Sequence, residues 1–219
     1  LNRRKPARVL LCVALVIALA WVTIGTQRSA PADGAAELHV LAIGNGQCVL
    51  LRLPTGPTVI FDAGTQSGFD VSDTLDPMLA ASKLPAPHVA FVSHANTDHY
   101  NGLLTLARRG QLRRVHLNPY FGTGDYHPGD RDARRFVELL RSHDVEIVRL
   151  AAGDQVSLDA ETTVSVLWPR ADMTSRDDPN NRSLVLRIDS LGRRVLLPGD
   201  IQAAAQADLA TDSDALAAD

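Results

Sequence analysis

A chain of 219 residues, 45% apolar and 21% charged, carries enough apolar side chains for one sizeable core, which excludes general disorder. Its net charge of −3 excludes a global basic field of the kind that attracts nucleic acid by itself. The two cysteines, Cys12 and Cys48, form no CxxC pair and no spaced Cys/His set, so neither a disulfide framework nor a zinc finger is encoded.

The chain begins with Leu1 rather than Met, then runs through a basic flank, "LNRRKPAR", into the uncharged apolar stretch "VLLCVALVIALAWVTIG" at 9–25. A basic flank followed by an apolar run of nearly bilayer length reads as a transmembrane or signal-anchor helix over 1–26, with a cleaved signal as the alternative. Because the Lys/Arg cluster stays inside, either reading puts the rest of the chain outside the cytoplasm. The expected location is therefore the cell membrane, single-pass, or else a secreted state. "QRSAPADGAA" (27–36) is small, Pro- and Gly-containing and aperiodic, as a linker would be.

From residue 37 short β-like runs alternate with helical ones. "ELHVLAIG" and "CVLLRLP" flank a Gly-Asn-Gly turn and predict a hairpin. "TVIFDAG" reads as a buried strand ending in an acid, and "VSDTLDPMLAASKL" as a helix capped by Ser72 or Asp73. "HVAFVSH" is again a buried strand, and "NGLLTLARRG" a helix stopped by Gly110. "RRVHLN" predicts a strand, 118–130 a Gly/Asp/Pro-rich loop, and "RDARRFVELLRSHD" an amphipathic helix. "VEIVRL", "QVSLDAETTVSVLWP", "SLVLRID" and "RRVLLPGD" predict four further strands, and "IQAAAQADLATDSDALAAD" opens as a helix. At least eight strands with interspersed helices indicate an α/β or α+β class. The four arginines of "ARRGQLRRVH" read as a solvated helix end and strand start.

The chemistry concentrates at strand ends. Asp62 closes one strand, His94, Asp98 and His99 follow a second within "HANTDH", and Asp200 closes a third. Loops held by rigid strands are where a layered sheet protein presents a site. Two imidazoles and carboxylates converging there suit zinc, manganese or iron, which polarise substrate oxygens and lower the pKa of water. The remaining histidines fit strands, helix ends and loops, and of them only His127 lies in a loop that could reach such a site. Trp168, before Pro169, reads as a strand-end packing residue.

This order of motifs resembles the metallo-β-lactamase fold superfamily, whose mark is H-x-H-x-D-H after a buried strand, bracketed by two strand-end aspartates. Within it the likeness is greatest to the C-terminal domain of ComEC-type DNA-uptake proteins. "LHVLAIGNGQCVLLRLPTGPTVIFDAG", "SHANTDHYNGL", "AAGDQVSLDAETTVSVLWP" and "NNRSLVLRIDSLGRRVLLPGD" are similar, in consistent order, to that group's blocks. The resemblance implies an αββα sandwich of two mixed sheets over 37–219, incomplete at its C-terminus. It implies metal ligands at His94, Asn96, Asp98, His99 and Asp200 for one or two zinc or manganese ions. Asp98 and Asp200 take the catalytic roles, while Asp62, Asn181 and Ser183 support the ligands from behind, with Asn180 at the rim. The implied activity is metal-dependent hydrolysis of phosphodiester bonds in single- or double-stranded DNA during uptake, beside competence-channel components and a membrane.

The pattern departs from that group at identifiable positions. Asn96 stands where the superfamily has its second histidine, Ala42 and Gln47 stand where the group has acids, and no histidine follows His143. A C-terminally shortened copy accounts for the missing late histidine. Two other readings remain open on sequence: a degenerate, non-catalytic domain that binds or guides DNA, and an exported hydrolase of small esters or lactones.

Overall fold

The computed structural model describes residues 34–211 and 216–219. The apolar run at 9–25, most of the linker and the anchor reading therefore lie outside the described residues. Among the described residues no helix is long and apolar enough to cross a membrane.

Ten strands form two sheets. The larger takes β1 (Glu37–Val40), β2 (Gly46–Arg52), β3 (Thr58–Thr65), β4 (Val89–Val92), β5 (Arg114–Leu117) and β6 (Glu146–Arg149) in chain order. β1, β2 and β3 pair antiparallel through tight turns, and β3 to β6 pair parallel. Parallel neighbours need long crossovers, and these are helical. α1 (Ser72–Ser82) joins β3 to β4, α2 (Thr97–Tyr100) and α3 (Leu103–Arg108) join β4 to β5, and α4 (Asp130–Ser142) joins β5 to β6.

The smaller sheet runs in the order β10 (Arg193–Leu197), β9 (Val185–Ser190), β8 (Thr162–Trp168), β7 (Gln155–Ser157). It is antiparallel throughout rather than mixed: short turns join β7 to β8 and β9 to β10, and the longer connection 169–184 returns the chain from β8 to β9. α5 (Ala203–Leu209) closes the described elements.

Side-chain alternation along the central strands builds the layers. Leu50, Ile60, Ala90, Val92 and Leu117 face one side of the larger sheet and pack with Leu75, Leu103, Leu106, Phe136 and Leu140 of the helices. Their neighbours Val49, Leu51, Val59, Phe61 and Phe91 face the other side and meet Val164, Val166, Leu186 and Ile188 of the smaller sheet. Trp168, Val185 and Ala205 form a third cluster that seats α5 on the outer face of that sheet. The order is helices, sheet, sheet, helix.

Three local expectations need correction. The segment 155–169 is a hairpin of two strands, not one strand, because Asp159 turns the chain by accepting Glu161 N–H and Thr55 Oγ–H. α1 is started by neither Ser72 nor Asp73; the carboxylate of Asp70 accepts Ser72 N–H at 2.8 Å. The helix expected over 101–110 begins earlier, at Thr97, and breaks at Gly102, whose N–H leaves the helix to bond Ala63 O of β3 at 2.8 Å. In the arginine run, Arg109 pairs with Asp76 and Arg114 with Glu146 at the surface, so two of its four charges are committed to the fold.

Candidate metal centre

The ends of β3, β4 and β10 meet at one edge of the sandwich. Leu184 N–H bonds Ser93 O at 2.8 Å, tying the end of β4 to the start of β9 and closing the two sheets against each other beneath the site.

Asp62 lies at the centre, with 2% exposure and a left-handed backbone at φ 53°. That conformation, which aspartate tolerates better than most residues, turns its carboxylate toward β4. Oδ1 accepts Ser93 N–H at 2.7 Å, and Oδ2 accepts both Ser93 Oγ–H at 2.7 Å and His99 Nδ1–H at 2.9 Å. Ser93 has a single hydroxyl proton, and Asp62 takes it. Its oxygen must then accept at the 2.9 Å contact with His94 Nδ1, so His94 carries its proton on Nδ1. Asp62 therefore fixes the tautomer of His99 directly and of His94 through Ser93. Both imidazoles are left presenting Nε2.

Those Nε2 atoms share one space. The rings lie 4.2 Å apart between centroids, and His99 Nε2 is 3.4 Å from Asp200 Oδ2. Donor atoms of His94, His99 and Asp200 all fall within 4.8 Å of one another. His94 is fully buried and its Nε2 has no hydrogen-bond partner. A bare, buried imidazole lone pair aimed at a second imidazole and a carboxylate fits a divalent cation, and neutral imidazole with carboxylate is the donor chemistry of zinc. The set fits the ion.

The electrostatics separate the two histidines. Burial pushes His94 down to about 3, with the neighbouring charges of His99 and Arg182 acting in the same sense. Burial would also depress His99, yet the hydrogen bond to Asp62 and the charges of Asp62, Asp200 and Asp98 raise it to about 9. Without metal, His94 is neutral and His99 is imidazolium at neutral pH.

The other expected site residues fall in different places. Asn96 donates through Nδ2 to Asn180 Oδ1 at 2.8 Å. Asp98 stands outside the group of converging donors, its Oδ1 buried without a partner. Ser183 Oγ accepts Asp200 N–H at 3.2 Å, and Asn181 Oδ1 accepts Gln202 N–H at 2.9 Å, so both hold the chain on either side of Asp200. Gly199, at φ 58°, sets that approach: a Cβ there would lie 2.8 Å from Ser183 Cβ and 3.0 Å from Ser93 Cβ. His127 is spent on Arg176 O at 3.2 Å. Trp168 packs at its strand end and donates to Asn181 O at 2.6 Å.

Residues 42–214 match the family described as the metallo-beta-lactamase superfamily. The chain belongs to that superfamily. A metallo-beta-lactamase-type protein from Thermotoga maritima has a similar fold, with a TM-score of 0.52, 16% identity, and coverage of 74% of this chain and 77% of its own. Zinc-bound PqqB from Methylobacterium extorquens aligns over 82% of this chain and 56% of its own, at 15% identity and a TM-score of 0.49. One stretch of 101 residues, 46% of this chain, is 33% identical to a 2,3-bisphosphoglycerate-independent phosphoglycerate mutase of Chloroflexus aggregans, and spans 17% of that relative's length. Such partial matches bear on shared structure and leave activity to be argued from the site.

Two residues of this metallo-beta-lactamase-type site escaped the sequence reading. Ser93, the relay between Asp62 and His94, was visible only as the polar residue inside "VSH". Arg182 sits inside "NNRSLVL", between residues read for other roles.

Proposed function

We propose that this domain is a metal-dependent phosphodiesterase, of the type found in ComEC-like DNA-uptake proteins. The observation that carries the reading is the unpartnered, buried His94 Nε2 converging with His99 and Asp200. A divalent ion held by these three residues would supply Lewis-acid polarisation of a phosphoryl oxygen and a water acidic enough to react near neutral pH. Asp62 and Ser93 hold the Nδ1 protons of the two imidazoles, so the neutral form of each offers Nε2 to an ion. Asp98 Oδ1, buried without a hydrogen-bond partner, is the base proposed to take up the proton.

The proposed context is a domain outside the cytoplasm, anchored through residues 1–26 and handling DNA near a competence channel. The ordered likeness of "NNRSLVLRIDSLGRRVLLPGD" to the ComEC-type block supports this substrate class. The reading is tested by metal content and nuclease activity together. The protein grown with zinc and manganese should carry close to one equivalent of transition metal and degrade single-stranded DNA, and Asp98→Ala should lose the degradation while keeping its fold. Less than about a tenth of an equivalent of metal, or nuclease activity that persists in Asp98→Ala, would overturn it.

One observation favours the second reading, a non-catalytic DNA-guiding domain. The side chain at position 96 is a neutral amide whose Nδ2 ties the metal loop to Asn180 Oδ1 at 2.8 Å, and a neutral amide is a weak ligand beside imidazole and carboxylate. DNA binding without bound metal and without cleavage is the outcome that selects that reading.

A further inference from the structure

Arg182 is a buried charge at this edge of the sandwich that stands outside the metal set. It ends the 3₁₀ turn Asn180–Arg182 between β8 and β9. The side chain is 2% exposed, and Nε and Nη1 are both buried with no hydrogen-bond partner. Its guanidinium carbon lies 5.9 Å from the centroid of the Tyr120 ring.

The nearby acids do not answer it. Asp130, Asp177 and Asp178 reach Arg182 only through space, and burial outweighs them, holding the guanidinium below its ordinary range. Each is committed to a local turn. Asp130 Oδ2 accepts Tyr126 N–H and His127 N–H, Asp177 Oδ2 accepts Thr174 N–H and Oγ–H, and Asp178 Oδ1 accepts Asn180 N–H. Removing a charge from water and leaving its donors unpaired is among the costlier things a fold can do.

The position of the turn tells where a partner would come from. Asn180 bonds Asn96 of the metal loop, and Ser183, the next residue after Arg182, holds Asp200 N–H. The charge on Arg182 is felt at His94. The backbone of Arg182 is thus carried between a residue tied to the metal loop and one tied to Asp200. A planar fork of N–H donors matches the non-bridging oxygens of a phosphoryl group better than any other common anion except a carboxylate.

We propose that Arg182 is a substrate anchor, its buried guanidinium taking a phosphoryl oxygen pair of the strand whose cleavage the metal set serves. The inference deepens the phosphodiesterase reading and rests on it for the identity of the strand. The anchor itself requires only that a phosphodiester monoanion bind.

Dimethyl phosphate, a monoanionic diester without a base or sugar, is the probe. Its affinity is measured by titration calorimetry on metal-free and zinc-loaded protein, for wild type, Arg182→Lys and Arg182→Met. The expected result is a dissociation constant raised at least tenfold by Arg182→Met in both forms. Arg182→Lys, which keeps the charge but not the fork, should fall between, with zinc content unchanged in each. In the zinc-loaded enzyme the same variants should raise KM for bis(p-nitrophenyl) phosphate while altering kcat less. Affinities within twofold across the three proteins would overturn the proposal, as would a kcat loss with KM unmoved. Should Arg182→Met fail to fold, the Arg182→Lys affinity decides: equality with wild type refutes the fork. Zinc-loaded wild type that binds dimethyl phosphate through Arg182 yet cleaves no diester would overturn the enzymatic reading alone.

Discussion

Asp62→Asn isolates what the central carboxylate does. The replacement is isosteric, and asparagine accepts the left-handed backbone at φ 53° as readily as aspartate. One oxygen can still accept Ser93 N–H, but the amide nitrogen then faces Ser93 Oγ and His99 Nδ1 with donors instead of an acceptor. Neutral His99, the form that binds metal, must then carry its proton on Nε2 instead of Nδ1; Nε2 is the atom directed at Asp200, and that proton stands where a metal ion would bind.

The energetic consequence follows from the pKa. Raising His99 from its ordinary 6.5 to about 9 in a side chain only 4% exposed stabilises the metal-free fold by about 3 kcal/mol, at about 1.4 kcal/mol per pH unit. Because the folded value is the higher one, that stabilisation is complete below pH 6.5 and disappears as pH rises through 9. Asp62 supplies the largest favourable part of that shift, beside Asp200 and Asp98, so Asp62→Asn should destabilise the metal-free protein by up to about 3 kcal/mol at pH 6 and by much less near pH 10. Zinc affinity, measured by competition with a chromophoric chelator at pH 7.5, should fall about 10- to 100-fold. Urea denaturation across pH gives the first quantity, and the imidazole 15N shifts report the proton's position. A destabilisation equal at pH 6 and pH 10, or zinc affinity within twofold of wild type, would refute the account of Asp62 as the tautomer-setting acceptor.

His116, 3% exposed and stacked 4.3 Å from the Phe91 ring, has neither ring nitrogen hydrogen-bonded, so His116→Phe should raise stability at neutral pH by about 1 kcal/mol. Burial holds this imidazole at about 4, so the wild type loses about 3 kcal/mol through it between pH 6.5 and 4; the variant's acid limb should be correspondingly flatter, and unchanged acid denaturation would count against the assignment. Gly64→Ala places a Cβ 2.4 Å from Asp98 C and 2.5 Å from His99 N, which should lower the melting temperature by more than 5 °C and weaken zinc binding together; normal values of both would show that the loop yields.

The strands were legible because burial writes itself into composition. "TVIFDAG" and "HVAFVSH" are apolar on both faces, as strands covered by helices on one side and a second sheet on the other must be. The helix break at Gly102 was not legible, since it depends on Ala63 O standing opposite, a contact set by the tertiary fold. Within the site, strand-end spacing brought His94, His99 and Asp200 into one reading, and the structure gathers them. The family resemblance added Asn96 to the ligand list, and in the structure its Nδ2 donates to Asn180 Oδ1, 84 residues away. Ser93 and Arg182 were overlooked for a common reason. Neither is unusual as a residue type, and each matters only through burial and the partners it has or lacks.

The contact between Gly64 and α2 has a consequence for how such a site can change over time. At that point the metal loop rests on bare strand backbone, main chain against main chain, and Gly102 N–H fastens the following residues to Ala63 O. The loop's shape is therefore inherited from the sheet and does not depend on the residues that would hold the ion. A donor residue in the loop can be exchanged without the loop slackening, and a lineage can shed its chemistry while keeping the outline of the site. Replacing His94 with glutamine should accordingly leave the amide exchange protection of residues 97–103 close to that of the metal-free parent, a separation of form from reactivity built into two glycines.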